Sequence, residues 1–261
     1  MGNVAFNVNR LFVFRFPKTP IHQQELASEI PLLSVVARYS ALPIPRPEFV
    51  APRQAYMGYR KLRGTPLIYL TERFTAWPIF AAQMGQFLGA INAIPVEALR
   101  GLEVNTDFES LDDVRRDAAR DYQKLRGVIP STRVASIEAF FDSPAPASEF
   151  EPKLCHNDLG IEHVLVTDTD VTGIIDWGDI ALTDPAHDFG LLFRDLGPDV
   201  LDQTLAAYGA ATGCMTGPLR QRAMFYGRCR IFENIAYGVE QNRPEYSQTG
   251  LEALRWLFPA R

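Results

Sequence analysis

The sequence has few cysteines and no cluster of basic residues. Only three cysteines occur among 261 residues, and they lie far apart in the chain, which argues against a disulfide framework. Lysine and arginine total 26 against 31 acidic residues, for a net charge of -5. No stretch of the sequence forms the basic patch that is typical of a nucleic-acid-binding protein. We therefore expect no nucleic-acid partner.

Long apolar runs are also absent. No stretch approaches the roughly 18 consecutive apolar residues of a membrane span, and the N-terminal sequence MGNVAFNVNR lacks the apolar core of a signal peptide. We therefore expect a cytoplasmic protein that does not associate with membranes. With 47% hydrophobic and 22% charged residues, the chain can bury the core of one large domain or of two lobes.

The hydrophobic pattern divides the chain into a short strand-rich part and a longer helical part. Residues 10–16 (RLFVFRF) predict a strand, and residues 20–42 have the apolar spacing of a helix. Pro31 is expected to kink or split that helix, because proline donates no backbone hydrogen bond. We expect residues 1–60 to form an N-terminal lobe and residues 61–261 to form a mostly helical C-terminal lobe.

A polar cluster interrupts the helical part. The segment LCHNDLGIEHVLV packs His156, Asp158 and His163 between apolar runs, and a turn then leads to the strand-like segment VTGIIDWGD. We expect a hairpin that brings His163, at the start of one strand, close to Asp176, at the end of the other. Two metal-capable side chains beside a free carboxylate suit phosphoryl transfer, in which cations neutralise phosphate charge and a carboxylate orients the attacking hydroxyl.

As an ordered set, the motifs of this chain resemble those of a known family. HND, HVLV and IIDWGD, in this order and spacing, resemble the phosphotransferase core of the aminoglycoside and macrolide kinase family, a branch of the protein-kinase-like fold. VFRFPK is similar to the family's strand with a phosphate-contacting base, EIPLL to the helix with its partner glutamate, and GYRKLRGTPL to the hinge. The resemblance implies an α+β, two-lobed fold with a small β-rich nucleotide-binding lobe and a larger helical lobe.

The resemblance also implies roles for individual residues. Asp158 would be the catalytic base, and His156 would support its loop. His163 and Asp176 would bind Mg²⁺ or, because imidazole suits softer metals, Mn²⁺. The implied nucleotide contacts are a phosphate-binding Arg15 held by Glu29, the hinge backbone of Arg60 and Leu62, and a remnant of the phosphate-covering loop at Gly2 and Asn3.

Further expectations follow from the same resemblance. Asp184 and Asp188, in the segment LTDPAHDFG, would brace the catalytic loop from below. A complete family member would carry about 20 more residues before Gly2, so we expect a truncated N-terminal lobe. The substrates would be a nucleoside triphosphate, ATP or GTP, and a small hydroxylated acceptor such as an aminoglycoside-like or macrolide-like antibiotic or a related metabolite.

Two other functions are compatible with the sequence. His163 stands where most relatives carry asparagine, and the phosphate loop is short, so one alternative is a pseudo-kinase that binds a ligand or partner without catalysis. The other is a zinc-dependent hydrolase that uses His156, His163, His187 and Asp188. Three of the four histidines fall within 32 residues. Their spacing does not match zinc-binding motifs such as two histidines one helical turn apart.

Overall fold

A four-stranded antiparallel sheet begins the protein, which is represented by a computed structural model that describes residues 3–51 and 56–260. Its strands are β1 (Asn3–Val8), β2 (Phe12–Pro17), β3 (Pro47–Ala51) and β4 (Tyr56–Arg60), which lie across the sheet in the order β1, β2, β4, β3. The strand predicted at residues 10–16 is β2, and it begins later than predicted because Asn9 and Arg10 adopt left-handed backbone conformations in the β1–β2 turn.

Strand alternation in β2 places aromatic and charged side chains on opposite faces of the sheet. Phe14 and Phe16 both contact the ring of Tyr56, with ring centroids 6.1 and 5.5 Å apart. Arg15 lies between them in the sequence and therefore points to the other face, where it is buried. Because side chains alternate between the two faces of β2, the guanidinium of Arg15 lies in the interior of the protein.

The helix α1 (Pro20–Tyr39) is continuous, so the expected split at Pro31 does not occur. Thr19 caps its N-terminus by accepting a hydrogen bond from a backbone N–H of the first turn. Pro31 removes one backbone hydrogen bond, but Leu26 and Leu33, on either side of it, are both buried in the core. Packing therefore holds both halves of α1 in one helix, and Glu29 stays on a helical face beside β2.

Helices form most of the rest of the chain. No helix within residues 3–51 and 56–260 is long and apolar enough to cross a membrane. The helices are α2 (Trp77–Asn92), α3 (Leu111–Lys124), α4 (Ser131–Phe141), α5 (Ala186–Leu196), α6 (Pro198–Thr212), α7 (Gly217–Glu240) and α8 (Pro244–Leu257), with short 3₁₀ helices at Leu67–Tyr69 and Val96–Leu99. Gly197 and Gly213, which follow α5 and α6, both have positive φ and end these helices.

Two small sheets lie among these helices. One has the order β5, β8, β9 and the other the order β6, β10, β7. The predicted hairpin is β8–β9, in which Val164 pairs with Ile174, so His163 and Asp176 come to the same end of the hairpin. The strands are β5 (Thr65–Pro66), β6 (Asn105–Thr106), β7 (Lys153–Cys155), β8 (Val164–Val166), β9 (Val171–Ile174) and β10 (Ala181–Thr183).

The close packing of α2 against α6 gives a stability prediction. A Cβ atom at Gly85 would lie 2.5 Å from the carbonyl oxygen of Thr204 and 2.8 Å from the backbone nitrogen of Tyr208. Both are backbone atoms of α6, so α6 would have to shift. We expect Gly85→Ala to lower the unfolding free energy by about 1 kcal/mol or more in urea denaturation, because overpacking outweighs the gain in helix propensity.

Gly89→Ala, on the same helix, is the matched control. The nearest atom to its added Cβ is a side-chain methyl of Thr212 at 3.1 Å, which can rotate or yield by a few tenths of an ångström. We expect this variant to unfold at nearly the same urea concentration as the wild type. Equal destabilisation by the two substitutions would contradict the packing argument.

Candidate active site

A buried arginine connects the first sheet with the β8–β9 hairpin. Arg15, on β2, is 7% exposed, and its Nη1 lies 2.5 Å from Oε1 of Glu29, which is 2% exposed. Its Nη2 lies 3.3 Å from Oδ1 of Asp176, which follows β9. Burial lowers the pKa of Arg15, but Glu29 and Asp176 outweigh burial and raise it above its ordinary value. The guanidinium is therefore charged, with two carboxylates as partners.

Asp158, His163 and Asp176 face one another at the end of the hairpin. Nε2 of His163 lies 3.6 Å from Oδ2 of Asp176, and its Nδ1 lies 3.4 Å from Oδ2 of Asp158. Nδ1 of His163 also lies 2.7 Å from the carbonyl oxygen of Asp158. One imidazole thus has a carboxylate on each side, as expected from the spacing of the motifs.

The charges in this group shift one another's titration. Burial raises the pKa of Asp158 to about 6, while the neighbouring His163 opposes the rise. Burial lowers the pKa of His163, but the carboxylates of Asp158, Glu162 and Asp176 outweigh burial and raise it. The protonation state of Asp158 therefore depends on that of His163, and the two groups titrate as a pair rather than independently.

His156 links the catalytic loop to the end of β9. Its Nε2–H donates to the carbonyl oxygen of Ile175 at 3.0 Å, and its Nδ1 accepts from the backbone N–H of Asp158 at 3.3 Å. The ring is 1% exposed, and burial lowers the pKa of His156 to about 3. His156 is therefore a neutral histidine whose ring nitrogens contact the backbone of Asp158 and of Ile175.

Of the two aspartates expected to brace this loop, Asp188 contacts it and Asp184 does not. The Asp188 carboxylate accepts from the backbone N–H groups of His156 and Asn157, each at 2.9 Å. Asp184 instead accepts from Nε and Nη2 of Arg222 at 2.6 and 3.1 Å. Asp184 lies in the segment between β10 and α5, whereas Asp188 lies in the first turn of α5, so their side chains start from different positions and reach different partners.

The remaining predicted nucleotide contacts are only partly described. Gly2 lies outside the described residues. Asn3 begins β1, and its buried Oδ1 has no hydrogen-bond partner among the described residues. The side chain of Arg60 points to the outer face, where its Nε lies 3.2 Å from Oε1 of Glu48. Leu62 packs against β9, so the hinge segment lies directly beside the hairpin.

The histidines do not assemble the zinc site of the hydrolase hypothesis. His156 uses both ring nitrogens for the backbone, as described above. Nε2 of His187 accepts from Nε of Arg230 at 3.2 Å, and burial lowers the pKa of His187 to about 3. In the described part of the chain, no group of three or more His, Cys, Asp or Glu side chains is arranged to hold a metal ion.

Sequence reasoning missed a second set of contacts between α5 and the catalytic loop. Oδ2 of Asp195 accepts from the backbone N–H of Ile161 at 3.2 Å. Arg194 pairs with Asp195 and lies 3.8 Å from Glu162, the residue before His163. The available signal was an aspartate in the last turn of a predicted helix, where the helix dipole disfavours a negative charge.

One cavity in the helical part of the chain has a volume of about 590 Å³. Its walls include Phe108, Glu109, Phe150 and Tyr226. The segment that supplies Phe108 and Glu109 begins at Asp107, whose Oδ2 accepts from Nδ2 of Asn157 at 3.1 Å. The cavity is thus connected to the residue that precedes Asp158, and its lining combines three aromatic rings and two carboxylates with aliphatic and small polar side chains.

Comparison with known proteins finds the same architecture. A family model described as "Phosphotransferase enzyme family" matches residues 3–226. The structure of aminoglycoside 2'-phosphotransferase-IIIa in complex with GDP is similar, with 25% identity, a TM-score of 0.72, and coverage of 98% of this chain and 88% of that one. These matches confirm the α+β, protein-kinase-like fold expected from the motifs.

Two more distant structures share the fold. Macrolide 2'-phosphotransferase MphH from Brachybacterium faecium, an apoenzyme, has 20% identity and a TM-score of 0.64, covering 93% of this chain and 84% of that one. ADP-bound aminoglycoside phosphotransferase APH(2'')-Ib has 17% identity and a TM-score of 0.62, covering 99% of this chain and 90% of that one.

The neutral state of His156 gives a pH prediction. Its pKa falls from 6.5 to about 3 on folding, so within this window the unfolded chain binds more protons than the folded one. The stabilisation that the buried neutral ring of His156 provides is fully present above the ordinary pKa of histidine and is lost as the pH falls below that value. We expect the unfolding free energy of the wild type, relative to His156→Gln, to fall by up to about 1.4 kcal/mol per pH unit below that pKa.

Glutamine is the informative replacement because its amide also has one donor and one acceptor but does not titrate. Urea denaturation of both proteins between about pH 5 and 7 measures the difference, and contributions from other groups cancel to the extent that the two proteins share them. A wild-type advantage that does not change with pH would contradict the assignment of a buried neutral imidazole.

Proposed function

The chain belongs to the phosphotransferase enzyme family and is a small-molecule O-phosphotransferase, and from that premise we propose that it transfers the γ-phosphate of a nucleoside triphosphate at Asp158, His163 and Asp176. One observation carries this proposal. The imidazole of His163 lies between two carboxylates, 3.4 and 3.6 Å away, and the charged Arg15 contacts the second of them. Fixed charges of both signs at one point suit the positioning and neutralisation of a phosphate chain.

The donor set fits a divalent cation. In the neutral form of His163, which a cation bound at Nε2 would favour, Nδ1–H donates to the carbonyl oxygen of Asp158 and the lone pair of Nε2 faces Asp176. A hydrogen bond that fixes the tautomer in this way is typical of metal-binding histidines. Two protein ligands suit Mg²⁺, which takes its other ligands from water and phosphate, and the imidazole favours Mn²⁺ as the alternative. When bound, the cation would neutralise the charge of the phosphates.

Arg15 is suited to contact the phosphates. A guanidinium has five N–H donors in a rigid fork. The contacts with Glu29 and Asp176 involve one N–H at each of its terminal nitrogens, so donors remain for a ligand. Glu29 orients the plane of the fork, and Asp176, which contacts the same guanidinium, would help to hold the cation. The nucleotide contacts of Gly2, Asn3, Arg60 and Leu62 stay predictions.

Asp158 is the proposed base. A pKa near 6 lets its carboxylate be ionised at neutral pH and still accept a proton from the acceptor hydroxyl as the phosphorus–oxygen bond forms. The backbone N–H of Asp158 is held by His156, and its carbonyl oxygen is held by His163. These contacts on both sides of the residue restrict the direction in which its side chain presents the hydroxyl to the phosphate.

The identities of the two substrates are narrowed by different observations. Similar structures contain GDP in one case and ADP in another, so ATP and GTP are both proposed donors. For the acceptor, we propose the cavity lined by Phe108, Glu109, Phe150 and Tyr226, which suits a hydroxylated molecule with an apolar face and an amine that pairs with Glu109. An antibiotic of the aminoglycoside or macrolide type, or a related metabolite, is the proposed class.

The pseudo-kinase alternative rests on His163 and the short phosphate loop, and the geometry of the site does not favour it. Asp158, His163 and Asp176 are assembled, and the ion pair of Arg15 with Glu29 is formed. We also propose that residues 1–60 form the nucleotide-binding lobe and residues 61–261 the helical lobe. We propose a cytoplasmic location for the protein.

The proposal predicts the effect of removing the base. We expect Asp158→Asn to reduce acceptor-dependent release of nucleoside diphosphate by at least about a hundredfold, since the carboxylate both orients and deprotonates the hydroxyl. The assay tests ATP and GTP, each with Mg²⁺ and with Mn²⁺, against a panel of aminoglycosides, macrolides and hydroxylated metabolites.

Asp168→Asn is the matched control, because the same chemical change is made on the exposed turn between β8 and β9. We expect this variant to keep the wild-type rate. Full activity of Asp158→Asn with an acceptor that the wild type phosphorylates would remove Asp158 from the role of base.

A further inference from the structure

We infer that Asp195 and Arg194, in the last turn of α5, position the metal-binding half of the catalytic loop through Ile161 and Glu162. The inference rests on the proposed function of His163, which follows these two loop residues directly. Among the described residues, neither Asp195 nor Arg194 forms a hydrogen bond or ion pair with Asp158, His163 or Asp176, so both are positioning residues that act through the loop.

The contacts form a connected network under the loop. Nε and Nη2 of Arg194 donate to the two carboxylate oxygens of Asp195 at 2.6 and 2.8 Å. Oδ2 of Asp195 also accepts from the backbone N–H of Ile161 at 3.2 Å. Nη2 of Arg194 lies 3.8 Å from Oε2 of Glu162. One arginine fork thus orients the carboxylate that holds the loop backbone and also attracts the side chain next to His163.

The network is the second of two anchors on the same face of α5. Asp188 accepts from the backbone N–H groups of His156 and Asn157, at the start of the loop. Asp195 follows seven residues later, which is close to two helical turns and roughly 10 Å along the axis. The first anchor holds the part of the loop that precedes the base, and the second holds the part that precedes His163. α5 thereby sets the separation between the base and the metal-binding imidazole.

The position of Asp195 is unfavourable unless it has such a role. A carboxylate in the last turn of a helix faces the negative end of the helix dipole, and Asp195 is also almost fully buried, with a side chain 7% exposed. The fork of Arg194 compensates the charge, but the same helix could end without any buried ion pair. An ion pair between Arg194 and Asp195 that served only to stabilise α5 would not require the hydrogen bond from the backbone N–H of Ile161 to Asp195.

Glu162 connects this anchor to the metal-binding side chain. Its carboxylate folds over Gly160, where a Cβ atom would collide with it. Its Oε2 is buried and has no hydrogen-bond partner among the described residues, so the attraction to Arg194 is its principal compensation. Movement of Arg194 would therefore release Glu162 and, with it, the backbone that presents His163.

Amide exchange of the protein without nucleotide tests the anchor directly. In Asp195→Ala we expect the N–H of Ile161 to exchange about tenfold faster or more, because its charged acceptor is lost. The N–H groups of His156 and Asn157, held by Asp188, should exchange at the wild-type rate. Unchanged exchange at Ile161, or equal acceleration at all three amides, would overturn the inference.

Asp184→Ala is the control matched for stability. It also leaves a buried arginine on α7, Arg222, without its carboxylate, but Asp184 does not contact the loop. We expect it to lower the melting temperature comparably and to leave the exchange of Ile161 unchanged. If either alanine variant does not fold, Arg194→Lys and Arg222→Lys form a milder pair, because each keeps the charge and loses the fork.

Calorimetric titration with ATP and GTP separates this inference from the proposed function. In the wild type, Mg²⁺ or Mn²⁺ should strengthen nucleotide binding relative to EDTA. In Asp195→Ala we expect unchanged binding in EDTA and a loss of about 10- to 100-fold in the strengthening by metal, whereas Asp184→Ala retains it. A wild type without metal-dependent strengthening contradicts the proposed function. A wild type with it and an equally responsive Asp195→Ala contradicts the inference.

Discussion

The ion pairs of Arg15 with Glu29 and Asp176 are the interaction on which the rest of the site depends. A buried guanidinium costs several kcal/mol unless its charge is compensated. The two carboxylates come from α1 and from the end of β9, so the charge is compensated only when the first sheet and the hairpin are correctly placed. These ion pairs also hold the positively charged guanidinium of Arg15 beside Asp176, the proposed metal-binding carboxylate.

The catalytic loop is held in a comparable way, by polar contacts to its backbone. His156, Asp188 and Asp195 each satisfy a backbone group of the segment that contains Asp158. Asn157, in this segment, and Asp176, which follows β9, adopt left-handed conformations with φ of 67° and 62°. Each costs on the order of 1 kcal/mol, and asparagine and aspartate tolerate this region better than most residues. The surrounding hydrogen bonds offset this strain and aim the side chains.

Much of this arrangement could be predicted from the sequence, because it rests on local periodicity. The strand around Arg15, the helix that carries Glu29, and the hairpin that joins His163 to Asp176 all follow from apolar spacing and turn residues. The strands β6 and β10 could not be predicted, since they are two and three residues long and pair only with distant segments. Pattern alone did not reveal that packing would keep α1 continuous through Pro31.

The side-chain partners within the site were predictable only in part. The motif LTDPAHDFG contains two aspartates four residues apart, and nothing in the letters distinguishes the one that reaches the loop from the one that pairs with Arg222. The partners of Asp195 and Glu162 depend equally on the tertiary placement of α5. Sequence thus predicts which chemical groups meet at the hairpin, whereas the helix beneath it determines how they are held.

Anomalous scattering from crystals grown with Mn²⁺ and a non-hydrolysable nucleoside triphosphate analogue would locate the metal and the phosphates directly. We expect a manganese peak ligated by Nε2 of His163 and a carboxylate oxygen of Asp176, with a phosphate oxygen within hydrogen-bond distance of Arg15. Manganese bound away from both residues, or a phosphate chain that does not approach Arg15, would contradict the proposed site.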